Sequence, residues 1–189
     1  NLVKIKSKPL IYWSIKTSLL SKKIHKTWVS SDCSKILAYS KDQGATIIKR
    51  PSILSKNTST SEAAWKHAIN YIKKNNNSIH TCVGIQPTSP IRNNLDFDKA
   101  IKLFKKNKLD SLFSSNKIYD YNTWKLKKNK YIPNYNYLKR SRRQDIKNNF
   151  LENGSFYIFD IIKFLKFDNR FFGKIGTYIQ EKKCGYQID

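Results

Sequence analysis

His80-Thr-Cys-Val-Gly-Ile-Gln-Pro-Thr-Ser-Pro-Ile-Arg92 begins as an apolar run and ends as a polar loop stiffened by two prolines. Residues 80–85 read as a central strand. Gln86 to Arg92 read as the loop at its end, because Pro87 and Pro90 fix φ and remove backbone donors. Gln86, Thr88 and Ser89 then form a rigid polar lip, suited to hydrogen-bonding a sugar or a base edge. In a sheet covered by helices, ligands collect outside the carboxyl ends of the strands, which is where this lip lies.

The flanking sequence supplies such a sheet. Pro9 to Leu20 has apolar residues at helical spacing behind a proline, which predicts a helix. A strand over 26–31 follows, then a helix over 34–43 capped by Asp32 or Ser34 and stopped at Gly44, then a strand over 45–49. A Ser/Thr-rich loop over 51–60 leads to a helix over 61–75, with Ser61 able to serve as its N-cap. Beyond the 80–85 strand, a helix over 97–106 and a strand over 111–115 continue the alternation. This β-α-β rhythm predicts an α/β fold with a three-layer, mostly parallel sheet.

The rhythm breaks after Ser115. Residues 116–150 hold Tyr119, Tyr121, Trp124, Tyr131, Tyr135 and Tyr137 among many charges, without a helical period. Such a segment is too aromatic to stand in water and too short to build its own core, so it is expected to pack on a partner subunit. A strand over 154–159, a short helix over 161–166 and a glycine-punctuated extended stretch over 170–179 return to the core. GYQID at 185–189 approaches another strand end. The chain therefore divides into a core at 1–115, an arm at 116–150 and a return to the core at 151–189. With Asn1 as its first residue and no methionine, the sequence is expected to lack its true start, and its abrupt stop suggests a missing end.

Composition narrows the function. An apolar fraction of 39% with 13% aromatics indicates a folded domain. No apolar run approaches the length of a membrane helix and residues 1–10 carry no signal-peptide core, so a cytoplasmic protein is expected. Cys33, Cys82 and Cys184 are odd in number and far apart, which reads as free thiols, and the three histidines form no ligand pattern. The formal charge of +24 raises the alternative of a basic nucleic-acid-binding protein. Yet only six of the 37 basic residues are Arg, at 50, 92, 140, 142, 143 and 170, and Lys is spread over the whole chain. Dispersed Lys argues for a biased surface, with no specific nucleic acid as partner. The few arginines are more informative, since their planar fork pairs with phosphate or carboxylate.

Arg50 ends a strand at the same sheet edge as Gln86. Ser59 and Ser61 precede a helix whose free N–H groups suit an anion. Lys139 to Arg143 lie in the arm, where they could reach a partner's crevice. Asp189 is a magnesium candidate, since that ion takes hard oxygens from one or two carboxylates plus substrate phosphates.

These segments resemble, in order, the acylneuraminate cytidylyltransferases, also called CMP-sialic acid synthetases. The likeness is carried by Asn1 with Lys8-Pro-Leu-Ile11, Ser30-Ser-Asp32, Gly44-Ala45, Arg50-Pro51, Ser59 to Ser61, Gln86 to Arg92, Arg142-Arg-Gln-Asp145, Asn153-Gly154 with Tyr157-Ile158, and Phe172-Gly-Lys-Ile-Gly176. The resemblance implies a nucleotide-diphospho-sugar transferase-like fold with an extended dimerisation arm, and a homodimer with composite active sites. It implies transfer of CMP from CTP to the anomeric hydroxyl of a nine-carbon acidic sugar. Asn1, Arg50, Ser59 and Ser61 look like CTP-binding positions, Gln86 and Arg143 like the sugar-side catalytic pair, and Asp189 like a ligand of Mg2+. The family's N-terminal nucleotide loop and first strand are absent from this sequence. Three departures stand out: Gln187 where the family commonly has a second metal-binding Asp, Asn57 for a commonly acidic residue, and Ser7 for a Gly. The same fold acting on another acidic sugar is the nearest alternative.

Overall fold

The computed structural model describes residues 1–75, 79–118, 122–142 and 149–188. A short hairpin of β1 (Lys4–Ile5) and β2 (Lys8–Pro9) leads into α1 (Leu10–Leu19). Pro9, at φ −56°, is pre-set for the helix entry, and Leu10, Ile11 and Ile15 turn the apolar stripe inward. The strand β3 (Trp28–Ser31), the helix α2 (Ser34–Asp42) and the strand β4 (Thr46–Lys49) form one parallel β-α-β unit. Ile11, Ile15, Val29 and Ala45 make its core. Gly44, at φ +90°, closes the helix in the left-handed region where a side chain would be strained. The expected cap by Asp32 or Ser34 is not formed: Cys33 occupies the cap position and no side chain bonds the helix end.

The helix α3 (Ser61–Asn75) has the predicted bounds, but Thr60 caps it, its Oγ1 accepting from the Ala63 amide at 3.2 Å. The strand β5 (Thr81–Ile85) is followed by α4 (Asn94–Lys106), which starts three residues earlier than expected. Asn93 Oδ1 accepts from Leu95 N at 3.0 Å and Asp96 Oδ2 accepts from Asn93 N at 3.0 Å, a reciprocal cap that extends the helix backwards.

The remaining elements are β6 (Ser111–Lys117), β7 (Trp124–Lys127), β8 (Lys130–Pro133), β9 (Phe150–Asp160), α5 (Ile161–Phe167) and β10 (Ile175–Ile179). The main sheet has the order β10-β6-β9-β5. β6 and β10 are parallel, while β9 runs antiparallel to both β5 and β6, so this sheet is mixed where a mostly parallel one was expected. Antiparallel neighbours need no crossover helix, and none is needed between β6 and β9. Lys117 faces Phe150, and Ile118 N donates to Asn149 O at 3.3 Å, so both ends of the intervening segment leave the sheet side by side.

β9 is buried on both faces. Phe156 and Ile158 pack with Phe97, Ala100, Ile101 and Phe104 of α4, whereas Tyr157 and Phe159 pack with Ile69 of α3 and Phe164 of α5. Helices thus cover both faces and make three layers, in keeping with the α/β class read from the sequence. Among the described residues no helix is long and apolar enough to cross a membrane, and all three cysteines are free thiols. The C-terminal segment forms a short 3-10 turn at Lys182–Gly185 and then an irregular stretch, not the approach to a strand expected there.

Candidate functional site

The regular pairing of β6 with β9 breaks between Phe113 and Ser115. Phe113 faces Tyr157 and Ser115 faces Glu152, leaving Asn153 to Phe156 as a bulge on β9. A bulge re-aims side chains and frees backbone groups, and this one lies where β5 ends. Its Gly154 has φ +66°, a conformation that favours glycine.

Asn153 is 2% exposed and its carboxamide is fully paired. Oδ1 accepts from Ser114 Oγ at 2.6 Å and from Ser155 N at 3.1 Å, while Nδ2 donates to Asn116 Oδ1 at 3.1 Å and Gln180 Oε1 at 3.0 Å. Gln180 passes the network on to Asp96, 2.8 Å away, which also receives the Tyr178 hydroxyl. Burial beside Asp96 pushes the Tyr178 phenol up to about 12, which keeps it a donor. A buried network complete in this way fixes the bulge in one arrangement.

Against this floor sits the Gln86 loop. Gln86 N donates to Ser155 O at 3.3 Å, Ser89 N to Gln86 O at 3.3 Å, and the buried Ser89 Oγ to Asn153 O at 3.3 Å. Arg92 turns back beneath the loop: Nε donates to Ser155 Oγ at 3.1 Å, Nη1 to Ser14 Oγ of α1 at 3.0 Å, and Nη2 to Gln86 O at 2.6 Å and to Ser89 O. Burial pushes its guanidinium down to about 9, still a cation at neutral pH. Arg92 therefore clamps two loop carbonyls and presents no fork to a phosphate.

Of the expected site residues, the structure joins Gln86 and Ser61 directly, with Gln86 Nε2 3.4 Å from Ser61 Oγ. Because Thr60 caps α3, the Ser61 hydroxyl is released from the capping role that its sequence position allowed. Arg50 stands at the end of β4, with its amide on Ser31 O and Nε on Ser55 Oγ at 2.9 Å. Ser59 closes the following loop through its amide to Lys56 O and its hydroxyl to Ile53 O at 3.3 Å. The Asn1 carbonyl accepts from Ile11 N at 3.1 Å. None of Asn1, Arg50 and Ser59 is hydrogen-bonded to Gln86. Arg143 and Asp189 lie outside the described residues.

The C-terminal segment joins this group of residues in a way that sequence spacing did not show. Ile188 N donates to Thr88 O at 2.8 Å and Gln187 Nε2 to Asn153 O at 2.9 Å, tying this segment to both loop and bulge. Among the described residues no three of His, Cys, Asp and Glu gather where a metal ion could be held. Gln187 brings an uncharged carboxamide, whose oxygen is a possible hard ligand but adds no negative charge.

Arg170 serves the framework. Its Nε lies 2.5 Å from Glu62 Oε1, and its guanidinium stands 4.8 Å from the Trp65 ring centre and 4.3 Å from that of Tyr157. The hydrogen bond from Arg170 holds the Glu62 carboxyl below its ordinary range. A cleft of about 420 Å³ runs along α3, lined by Thr60, Glu62, Lys66, His67 and Asp168 among others, but Gln86, Asn153 and Gln187 do not line it.

Comparison with known proteins agrees with this architecture. 4-diphosphocytidyl-2C-methyl-D-erythritol synthase from Anaerococcus prevotii superposes with a TM-score of 0.71 at 11% identity, covering 98% of this chain and 82% of that one. CMP:2-keto-3-deoxy-manno-octonic acid synthetase, solved with CTP, does so with a TM-score of 0.67 at 11% identity, covering 95% and 82%. These place the fold among the nucleotide-diphospho-sugar transferase-like domains. The sequence model of the cytidylyltransferase family matches residues 1–189, and the chain belongs to that family. It is 30% identical over 155 residues to N-acylneuraminate cytidylyltransferase of Oncorhynchus mykiss, covering 80% of this chain. The chain spans between 35% and 45% of the length of the curated relatives it matches.

Proposed function

We propose that this chain carries the core of an enzyme that transfers CMP from CTP to the anomeric hydroxyl of a nine-carbon acidic sugar, a sialic acid or a related nonulosonic acid. The observation that supports this most is the meeting of Ser61, Gln86 and the Gly154 bulge at the end of β5, in a chain of this family that resembles N-acylneuraminate cytidylyltransferases. The anomeric oxygen bonds to the α-phosphorus, the α–β bridging P–O bond breaks, pyrophosphate leaves, and the hydroxyl proton passes to the medium.

In this reading Asn1, Arg50, Ser59 and Ser61 bind CTP. Arg50 at the strand end and the N–H groups opening α3 suit its phosphates. Gln86 binds the sugar, held in place by Arg92 from below. Arg143, carried by the arm of a second copy, meets the sugar carboxylate. A triphosphate, a carboxylate and a developing pentacoordinate phosphorus crowd negative charge into one place. Cations fixed before the reaction begins lower that barrier without reorganisation. Mg2+, placed by Asp189, would neutralise phosphate charge when bound.

The arm at 116–150 is the dimer contact in this proposal, and the reaction takes place in the cytoplasm. Among the described residues of the arm, β7 and β8 pair through a turn at Lys128 and Asn129, both at positive φ, as a type I′ two-residue hairpin requires. Trp124, Leu126, Tyr131, Ile132 and Tyr137 remain exposed on it. Such a ribbon needs a partner surface to hide its apolar groups.

The test is pyrophosphate release by the full-length protein from CTP and Mg2+ with a panel of nonulosonic acids, each omitted in turn. Release that depends on a nine-carbon acid is expected. Release only with an eight-carbon acid would move the substrate, and no release with any sugar from a folded dimer would refute the proposal.

A further inference from the structure

Gln187 is held from both sides. Upstream, Cys184 is 5% exposed, and Asn116 Nδ2 donates to Gln180 O at 3.1 Å and Glu181 O at 2.7 Å. A Cβ at Gly185 would lie 2.7 Å from Asn116 Oδ1, so the turn fits tightly over Asn116. Downstream, the Ile188 amide is fixed on Thr88 O. Between these anchors Gln187 is exposed, and its side chain donates to Asn153 O at 2.9 Å.

Gly154 shows what this placement achieves. A Cβ at that position would lie 2.8 Å from Gln86 Oε1 and 2.8 Å from Gln187 Nε2. Two carboxamides therefore converge over the one residue of the bulge that lacks a side chain. One Nε2 hydrogen of Gln187 is spent on Asn153, which leaves the other hydrogen and Oε1 for a ligand. Gln86 Nε2 is within 3.4 Å of Ser61 Oγ, so its carbonyl oxygen is the end turned towards Gly154. No formal charge belongs to this group of Ser61, Gln86, Thr88, Asn153 and Gln187. It suits a neutral substituent that both donates and accepts, while a carboxylate is better met by cations.

We propose that Gln187 is a specificity-determining residue, which together with Gln86 forms a subsite for a hydroxyl or acylamido substituent of the sugar acid. The inference rests on the assignment of the Gln86 crevice to the sugar. A carboxylate at 187 would face the Asn153 carbonyl oxygen and repel it, so an uncharged donor is what this geometry requires. Gln187 thus acts on the sugar from a position where the resembled family commonly has a metal-binding Asp.

Gln187→Ala and the isosteric Gln187→Glu test this in the full-length protein, with CTP, Mg2+ and two nonulosonic acids that differ only in an acylamido or hydroxyl group. Loss of one neutral hydrogen bond predicts a rise in sugar KM of roughly 3- to 10-fold, with CTP KM within about twofold. The ratio of kcat/KM between the two sugars should collapse towards one, a change that mere loosening of the C-terminal segment does not produce. An unchanged sugar ratio overturns the inference, as does a parallel rise in CTP KM or a lowered Mg2+ requirement in Gln187→Glu. Wild-type protein that turns over no sugar would overturn the functional reading itself, and the inference with it.

Discussion

Two parts of the chain depart from regular sheet, and they do so with opposite chemistry. In the β9 bulge, Asn153 is 2% exposed and each polar end of its side chain is paired; in the β7–β8 hairpin, Trp124 is 49% and Tyr131 72% exposed. The bulge buries polar groups with their partners present, whereas the hairpin leaves apolar groups exposed. The first is finished within the monomer. The second has its aromatic rings touching one another, Trp124 edge-on to Tyr135 at 5.9 Å, without a core beneath them. An internal polar network specifies a single geometry for the bulge, while a ribbon with exposed apolar groups has no such network among the described residues.

Asn153→Leu should break the finished region with the largest effect. It keeps the branched shape, with bulkier methyl ends, and strips partners from Ser155 N, Asn116 and Gln180 at once. A loss of about 4 kcal/mol in unfolding free energy is expected, at roughly 1–3 kcal/mol for each buried group left unpaired. Denaturant unfolding measures it, and a loss under about 1 kcal/mol would show that the bulge is not held by this network.

Trp124→Ser addresses the other region. Monomer stability should move by less than about 0.5 kcal/mol, as for an exposed site. The dimer dissociation constant should rise about 30-fold, the effect of a lost aromatic anchor worth about 2 kcal/mol. Sedimentation equilibrium separates the two quantities, and an unchanged association constant would take the hairpin out of the interface.

Glu62→Gln touches the ion pair of α3 with Arg170 and has the smallest effect, about 1 kcal/mol for a partly buried pair. The folded-state carboxyl is depressed by Arg170, so its stabilisation is present above the ordinary glutamate value near 4.5 and fades as pH falls below it. The stability gap between wild type and variant should therefore shrink on acidification through that range. A gap constant from pH 7 to pH 3 would deny the ion pair any role.

Much of this was legible beforehand. Helix periodicity located α1, α2 and α3, and the prolines marked the loop that follows β5. The early start of α4 had a readable signal in Asn93 and Asp96, whose spacing is that of a reciprocal cap. The direction of β9 had none, because a strand buried on both faces has the same apolar pattern whichever way it runs. The role of Arg92 was equally hidden. Its position in the loop is plain, but nothing in linear order says that a guanidinium turns back to bind the carbonyls of Gln86 and Ser89.

By itself the sequence determined the α/β class, the position of the polar loop after β5 and the free thiols. These follow from local periodicity, proline geometry and composition, which act over a few residues. Only the tertiary structure decided that Gln187 meets Gln86 over Gly154 and that Lys117 and Phe150 bring both ends of the intervening segment out of the sheet together. Those outcomes depend on hydrogen bonds between residues tens of positions apart, and such pairings are settled by how the layers pack.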